Sequence, residues 1–203
     1  MKKSLSHLAL IATTLTLLTG CASYNAAPLS NLDANLIQST PAKGDVTVVA
    51  KAFDEEDCKR HLDRDVLKKG YQPVQVYIEN RSDKNYFFSL NRINLPTARP
   101  DEVANKVHTS TVGRIVGYGI PGLVILWPLL IPAIVDGVKS ANANDALDTD
   151  FAAKGAKDQT IFAHSRLNTL IFVPRDLYQP NFSITLVYTA TNEPKVVALT
   201  VRS

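Results

Sequence analysis

Alternating apolar and polar residues divide the chain into two blocks of predicted β-strands. In the first block, residues 44–95, two stretches show the period of two that is typical of a half-buried strand, and a turn leads into a third stretch that we expect to be their partner strand. In the second block, residues 159–203, short β-branched runs are separated by turn residues such as Pro174 and Pro180. The predicted strands are residues 44–53, 72–80, 85–95, 159–163, 167–173, 182–189 and 196–201.

Together the two blocks have the size of one immunoglobulin-like domain, which uses ~100 residues. We therefore predict a mainly β protein, an immunoglobulin-like antiparallel β-sandwich, interrupted by an α-helical insertion at residues 96–158. The alternative is two separate small β units, each of which would be marginal in size.

One helix is predicted inside the first block, at residues 54–69. Asp54 suits its N-cap and Gly70 suits its end. The acidic run from Asp54 to Asp57 could bind a hard cation, but in the first turn of a helix we expect it to complement the positive end of the helix dipole.

The insertion combines polar helices with one long apolar segment. Residues 101–112 and 136–154 have helical patterns, and between them residues 115–135 carry no charge. As a straight helix this segment would be ~31 Å long, which is enough to span a bilayer. Three prolines would interrupt that helix, at positions Pro121, Pro128 and Pro132.

Three interpretations of the apolar segment, residues 115–135, stay open. It forms a helical hairpin that packs on the sandwich or on a second protomer; it dips into a membrane leaflet with Arg114 and Lys139 at the headgroups; or it spans the membrane. A single span would place the two β blocks in separate compartments, where their strands could not pair. The residues predicted to contact a membrane or a partner are Ile115, Tyr118, Ile120, Leu123, Ile125, Leu126, Trp127, Leu129 and Ile131.

The N-terminus has the pattern of a removable signal peptide, residues 1–20. Lys2 and Lys3 form a basic start, and the apolar run that follows, residues 8–18, is too short to span a bilayer. The run ends in Leu18-Thr19-Gly20-Cys21, with small residues before the cysteine. This order predicts cleavage immediately before Cys21.

These last four residues resemble the lipobox of bacterial lipoproteins, although the resemblance covers only residues 1–21. It implies that the Cys21 thiol takes a diacylglycerol and the freed amine a further acyl chain such as palmitate, which together anchor the protein in a membrane. The absence of aspartate after Cys21 favours the outer membrane, with the protein facing the periplasm. Residues 21–43 are then a lipidated cysteine and a flexible tether, because they are rich in Asn, Ala, Ser and Pro.

Charge and isolated reactive residues argue against several function classes. The chain has 22 Lys and Arg against 19 Asp and Glu, and cleavage removes two of the lysines, so a nucleic-acid partner is not expected. If Cys21 is lipidated, Cys58 has no cysteine partner for an intramolecular disulfide. His108 and His164 stand alone, without a metal-binding motif around them.

Cys58, His61 and Asp65 form the one cluster that could carry chemistry. If the predicted helix extends over residues 54–69, the three side chains share a face and could hold a metal or build a thiolate nucleophile. A buried cysteine beside a solvent-facing histidine explains the same residues, and we prefer it. We also expect four phenylalanines to lie in the core: Phe151, Phe162, Phe172 and Phe182.

The sequence therefore predicts a lipoprotein of the cell envelope that acts as a non-catalytic binding or assembly module. No enzyme activity, cofactor or metal is expected. Its partners are the membrane, through Cys21, and an envelope protein or a second copy of the chain. Two alternatives are a protein whose apolar hairpin inserts into or remodels the bilayer and, more remotely, an enzyme that uses Cys58.

Overall fold

The computed structural model describes residues 23–32, 45–108 and 130–201, with only the backbone of residues 130–140. The chain divides into two compact units. The larger unit comprises residues 25–108 and 146–203, and the smaller one comprises residues 1–24 and 109–145. The described part of the smaller unit is short and consists mainly of the first half of a long helix.

Seven antiparallel strands of the larger unit form two sheets. Sheet A has the order β1-β2-β5, and sheet B has the order β4-β3-β6-β7. The strands are β1 (Val46–Ala52), β2 (Tyr71–Asn80), β3 (Tyr86–Phe88), β4 (Gln159–Ile161), β5 (Arg166–Pro174), β6 (Asn181–Tyr188) and β7 (Pro194–Thr200).

Each sheet contains strands from both sequence blocks. In sheet A, β2 of the first block pairs with β5 of the second, with Val74 opposite Ile171. In sheet B, β3 pairs with both β4 and β6. The prediction of two separate β units is therefore wrong, and so is the interpretation that residues 115–135 leave the two blocks in separate compartments.

The two sheets share a hydrophobic core made of alternate residues from each strand. On β1, β2 and β5 these are mostly valines and isoleucines, and on sheet B they include aromatic and leucine side chains. Fully buried members include Val48, Val76, Phe88, Ile184 and Leu186. Burial of one such side chain contributes about 1.5–3 kcal/mol, so this cluster is a main source of stability.

The opposite face of sheet A is covered by helices. These are α1 (Glu55–Leu62), α2 (Pro100–Val107) and the later part of α3 (Leu130–Lys154). Phe151 of α3 stacks on Phe172 of β5 with ring centroids 5.6 Å apart, and Leu147, one turn earlier, is fully buried. Sheet A thus lies between a helical layer and sheet B.

The helix predicted at residues 54–69 is shorter than expected. Asp54 is its N-cap, as predicted, and exchanges hydrogen bonds with Asp57 in a capping box. The helix ends when Asp63 adopts a left-handed conformation with φ 47°. A separate 3-10 turn at Leu67–Lys69 then ends at Gly70, which has φ 87°.

The strand predicted at residues 85–95 is also shorter than expected. Directly after β3, the carboxylate of Asp158 binds the chain. Asp158 accepts hydrogen bonds from the Ser89 hydroxyl and the Leu90 amide, both at 2.8 Å. The chain then forms a 3-10 turn at Leu90–Arg92 and pairs with β6 again only through an isolated bridge between Ile93 and Ile184.

In the insertion, α2 and α3 confirm both predicted helices, although their bounds differ. The apolar segment predicted to form a hairpin lies mostly at residues 109–129, outside the described residues. Three of the four phenylalanines are buried as expected. Phe162 is not: it follows β4, and 63% of it is exposed, so its predicted core role is wrong.

Candidate functional site

The predicted lipidation site, Cys21, lies outside the described residues, as do the predicted contact residues from Ile115 to Leu129. Ile131 lies in the first turn of α3, where only the backbone is described. Within the described ranges, no helix has both the length and the apolar character needed to span a membrane.

The segment that follows the predicted anchor contacts the larger unit directly. We call residues Asn25–Ser30 the docked segment. Its Asn25 amide donates to a carboxylate oxygen of Asp63 at 2.9 Å, and its Ala27 amide donates to the Arg60 carbonyl at 2.8 Å. Both acceptors lie at the C-terminal end of α1, where helix carbonyls lack partners within the helix.

Lys154, in the last turn of α3, joins the docked segment to two helices. Its ammonium donates to the carbonyl of Ala27 at 2.9 Å, to the carbonyl of His61 at 2.7 Å and to Asp150 at 2.6 Å. Lysine has three N–H donors, so each one has an acceptor. Only 8% of the residue is exposed, which is unusual for lysine and marks a specific structural role.

His61 holds the next residue of the docked segment. Its Nδ1 lies 2.8 Å from the Pro28 carbonyl and, since a carbonyl only accepts, Nδ1 carries the proton. The ring also packs against Phe53, with centroids 5.6 Å apart. His61 is therefore buried, and the expectation that it faces solvent is wrong because the docked segment covers it.

The end of the docked segment lies on sheet A. The Ser30 carbonyl accepts hydrogen bonds from Gln75 of β2 at 2.7 Å and from Asn168 of β5 at 3.3 Å. Gln75 also donates to the Asn168 side chain at 2.7 Å, and it is almost fully buried. The docked segment thus covers polar groups on the outer face of sheet A.

Sequence reasoning missed this docking site. A signal was present, since Gln75 and Asn168 are polar amides at outward positions of otherwise apolar strands. A buried amide requires a hydrogen-bond partner from a neighbouring segment. The described part of the predicted tether, residues 21–43, supplies that partner.

The structure separates the residues of the predicted chemical cluster. Cys58 is buried, as the packing interpretation expects, and burial together with the charge of Asp57 raises the pKa of its thiol to about 12. Asp65 lies beyond the end of α1 and pairs with Lys68, so it does not share a helix face with Cys58 and His61. Among the described residues, no three potential metal ligands come together.

The acidic run at the start of α1 supports the helix and an ion pair. The hydrogen bond from the Asp57 amide lowers the pKa of the Asp54 carboxyl. Asp57 itself is buried and accepts a hydrogen bond from Lys51 at 2.6 Å. These contacts match the expected dipole and capping role.

The two remaining histidines each bond to one carboxylate. His108 Nε2 lies 2.7 Å from Asp148, which joins the end of α2 to α3. His164 Nε2 lies 2.8 Å from Asp83, in a strongly exposed pair. Neither arrangement positions a third group for catalysis.

The outer face of sheet B is exposed and uncharged. Its exposed positions are Phe87, Asn181, Pro194, Val196, Ala198 and Thr200, its half-buried positions are Thr160, Ser183 and Thr185, and Val187 on the same face is buried. Val196 is 64% exposed and Phe87 is 37% exposed. These two apolar side chains lie among small and uncharged polar residues.

Comparisons with protein-family models, curated proteins and solved structures found no match for this chain.

Proposed function

We propose that the protein is a lipid-anchored lipoprotein of the cell envelope that acts as a non-catalytic binding or assembly module. The observation that carries this proposal is the order of the N-terminus: a basic start, a short apolar run and Leu18-Thr19-Gly20-Cys21. Lipid on Cys21 would hold the protein at the outer membrane, facing the periplasm. The partner would be an envelope protein or a second copy of this chain.

We further propose that the two sheets form an immunoglobulin-like sandwich. Seven antiparallel strands in two sheets around one core support it. The arrangement differs from the constant-type immunoglobulin domain, in which the fourth strand lies beside the fifth. Here β4 lies beside β3, so sheet B has four strands and sheet A has three.

Two features support a binding role over a catalytic one. The Cys58 thiol is buried with a raised pKa, whereas a nucleophilic cysteine needs an exposed, activating environment. The outer face of sheet B offers an uncharged surface for contact with another protein. The enzyme alternative would require activity that disappears in a folded Cys58→Ala variant.

The anchor can be tested by labelling cells with radioactive palmitate. The native chain should take up label and appear in the membrane fraction, and Cys21→Ser should lose both properties. Cys58→Ser is the matched control and should keep the label. A native protein that is secreted, unlabelled and cut elsewhere would overturn the proposal.

A second candidate is a protein whose apolar segment inserts into or remodels the bilayer. The observation that favours it is the uncharged run at residues 115–135. Residues 22–203 without lipid should then bind vesicles, and deletion of residues 113–138 should abolish that binding. Equal flotation of the two proteins with vesicles would exclude this candidate.

A further inference from the structure

We infer that the docked segment orients the whole larger unit on the membrane, with the C-terminal end of α1 against the lipid headgroups. This inference rests on the proposed lipid anchor at Cys21. In this arrangement the larger unit presents one defined surface to the membrane and does not move freely on a long tether.

The chain between the predicted lipid anchor and the docked segment is short. Only three residues separate Cys21 from Asn25, whose amide bonds to Asp63. An extended chain covers at most ~3.6 Å per residue, so the Cα atoms of Cys21 and Asn25 are at most ~14 Å apart. The Asp63 carboxylate at the end of α1, 2.9 Å from the Asn25 amide, must therefore lie within about 17 Å of the Cα atom of Cys21.

The docked segment is bound firmly to the larger unit. Hydrogen bonds hold the segment along its length, from Asp63 at its start to Gln75 and Asn168 at its end. Buried Lys154 and His61 fix its middle through backbone carbonyls. Because the segment is held in this way, its first residue has a fixed position relative to α1, the last turn of α3 and sheet A.

The surface of the larger unit nearest the predicted anchor carries basic side chains. The last turn of α1 carries the exposed residues Lys59 and Arg60, of which Arg60 forms an ion pair with Glu56, next to the residues that bind the docked segment. Exposed basic groups near a membrane are attracted to anionic headgroup phosphates. Lipid headgroups of the anchoring membrane are therefore the partner that this surface fits.

The outer face of sheet B lies on the opposite side of the larger unit. The docked segment lies on the helical side of sheet A, and sheet B packs on the other side through the shared core. Packed sheets are ~10 Å apart, so a probe on Val196 lies more than one sheet spacing beyond the docked segment. Position 59 should thus be near the membrane and position 196 remote from it.

The test uses the full lipidated chain in phosphatidylethanolamine–phosphatidylglycerol vesicles that carry a headgroup-linked energy acceptor. A donor dye is attached to Lys59→Cys or Val196→Cys; Cys58 is buried and Cys21 is occupied by lipid. We expect the donor at position 59 to lie at least about 10 Å closer to the acceptor plane than the donor at position 196.

Two insertions make the test specific. Ten Gly-Ser residues between Ser23 and Tyr24 keep the docking contacts but lengthen the connection to the lipid, so the difference between the two donors should fall to less than half. The same ten residues inserted after Gln38, beyond the docked segment, should leave the difference unchanged.

The failures of the two proposals are distinguishable. Protein that carries palmitate and floats with the vesicles, yet shows equal donor distances at positions 59 and 196, overturns the orientation and leaves the anchor intact. Protein that carries no lipid and does not float overturns the anchor itself.

Discussion

At the scale of single residues, Lys154 connects three parts of the larger unit. Its ammonium bonds to the docked segment, to the end of α1 and to Asp150. Hydrogen bonds from a charged donor are stronger than neutral ones, because the full charge attracts the carbonyl oxygen more strongly, and a buried carbonyl that loses its donor stays desolvated without a partner.

We expect Lys154→Met to lower the free energy of unfolding by about 2–4 kcal/mol. The variant should also release the docked segment, so that a protease cuts within residues 25–30 of the folded protein. Urea unfolding and limited proteolysis with mass analysis check both effects. Lys157→Met is the matched control, since Lys157 is exposed, and it should behave like the native chain. If the two variants unfold alike, Lys154 does not hold the segment.

Cys58 gives a pH-dependent contribution to stability. Burial raises the pKa of its thiol from the ordinary 9.0 to about 12 in the folded state. The contribution is fully present below pH 9, and it is lost as pH rises from 9 towards 12, because the unfolded thiol ionises first. The loss amounts to up to about 1.4 kcal/mol for each pH unit in that window.

Cys58→Ala lacks this titration. Its stability deficit relative to the native chain, measured in urea, should therefore shrink by about 2 kcal/mol between pH 8 and roughly pH 10.5. A deficit that stays constant over this range would show that the thiol is not protected by burial. The native thiol should also resist iodoacetamide until the protein is unfolded.

At the scale of elements, the junction between α3 and β5 shows how tightly the helical layer packs. Gly155 ends α3, and a Cβ at this position would meet Pro100 of α2 at 2.3 Å and the Phe151 carbonyl at 2.8 Å. Gly155 also bridges to Leu170 of β5. Glycine is required here by the close approach of three elements, since real Cβ contacts are never so short.

Gly155→Ala should therefore lower the free energy of unfolding by about 1–3 kcal/mol, because the added methyl group overpacks this site. The same substitution should lower the free energy of unfolding less in a Pro100→Gly background, because the nearest clashing side-chain atoms are then absent. The close contact with the Phe151 carbonyl remains. Thermal unfolding of the four proteins of this double-mutant cycle gives the coupling. Additive effects would contradict the clash between the two residues.

The elements also show what sequence patterns can and cannot predict. Alternation in the first block, and β-branched runs between turn residues in the second, located all seven described strands. Their arrangement in two sheets was not predictable in detail, since nothing local states that β4 pairs with β3. The left-handed turn at Asp63 shortened α1 without a glycine signal.

The docked segment escaped prediction for a physical reason. Most of its bonds use its own backbone groups, such as the carbonyls of Ala27, Pro28 and Ser30. Every residue type offers these groups, so a composition of Asn, Ala, Ser and Pro resembles a free linker. The Cys21 prediction depends on a motif, and it stays a prediction.

At the scale of the whole molecule, the larger unit is built from the chain segments on either side of residues 109–145. His108 and Asp148 bond at 2.7 Å, so the ends of that stretch lie near each other. All seven described strands and the core that the two sheets share belong to residues 25–108 and 146–203.

We therefore expect a chain in which about six Gly-Ser residues replace residues 109–145 to fold with nearly native stability, since six residues span ~20 Å. Amide-proton NMR spectra and urea unfolding of the two proteins provide the comparison. The matched control replaces residues 96–158, which removes α2 and the end of α3, and it should not fold. A collapsed spectrum for the shorter deletion would show that the larger unit depends on those residues.

The pairing of β2 with β5 also delays the completion of sheet A during synthesis of the chain. Residue 80 leaves the ribosome 86 residues before residue 166, which at 5–20 residues per second is a delay of about 4–17 s. During that interval β2 has β1 as its only eventual neighbour available, and neither sheet can be completed. The apolar strands of the first block must therefore be shielded until the last quarter of the chain arrives, so a chaperone that binds nascent apolar strands should be retained on this protein until synthesis is nearly finished.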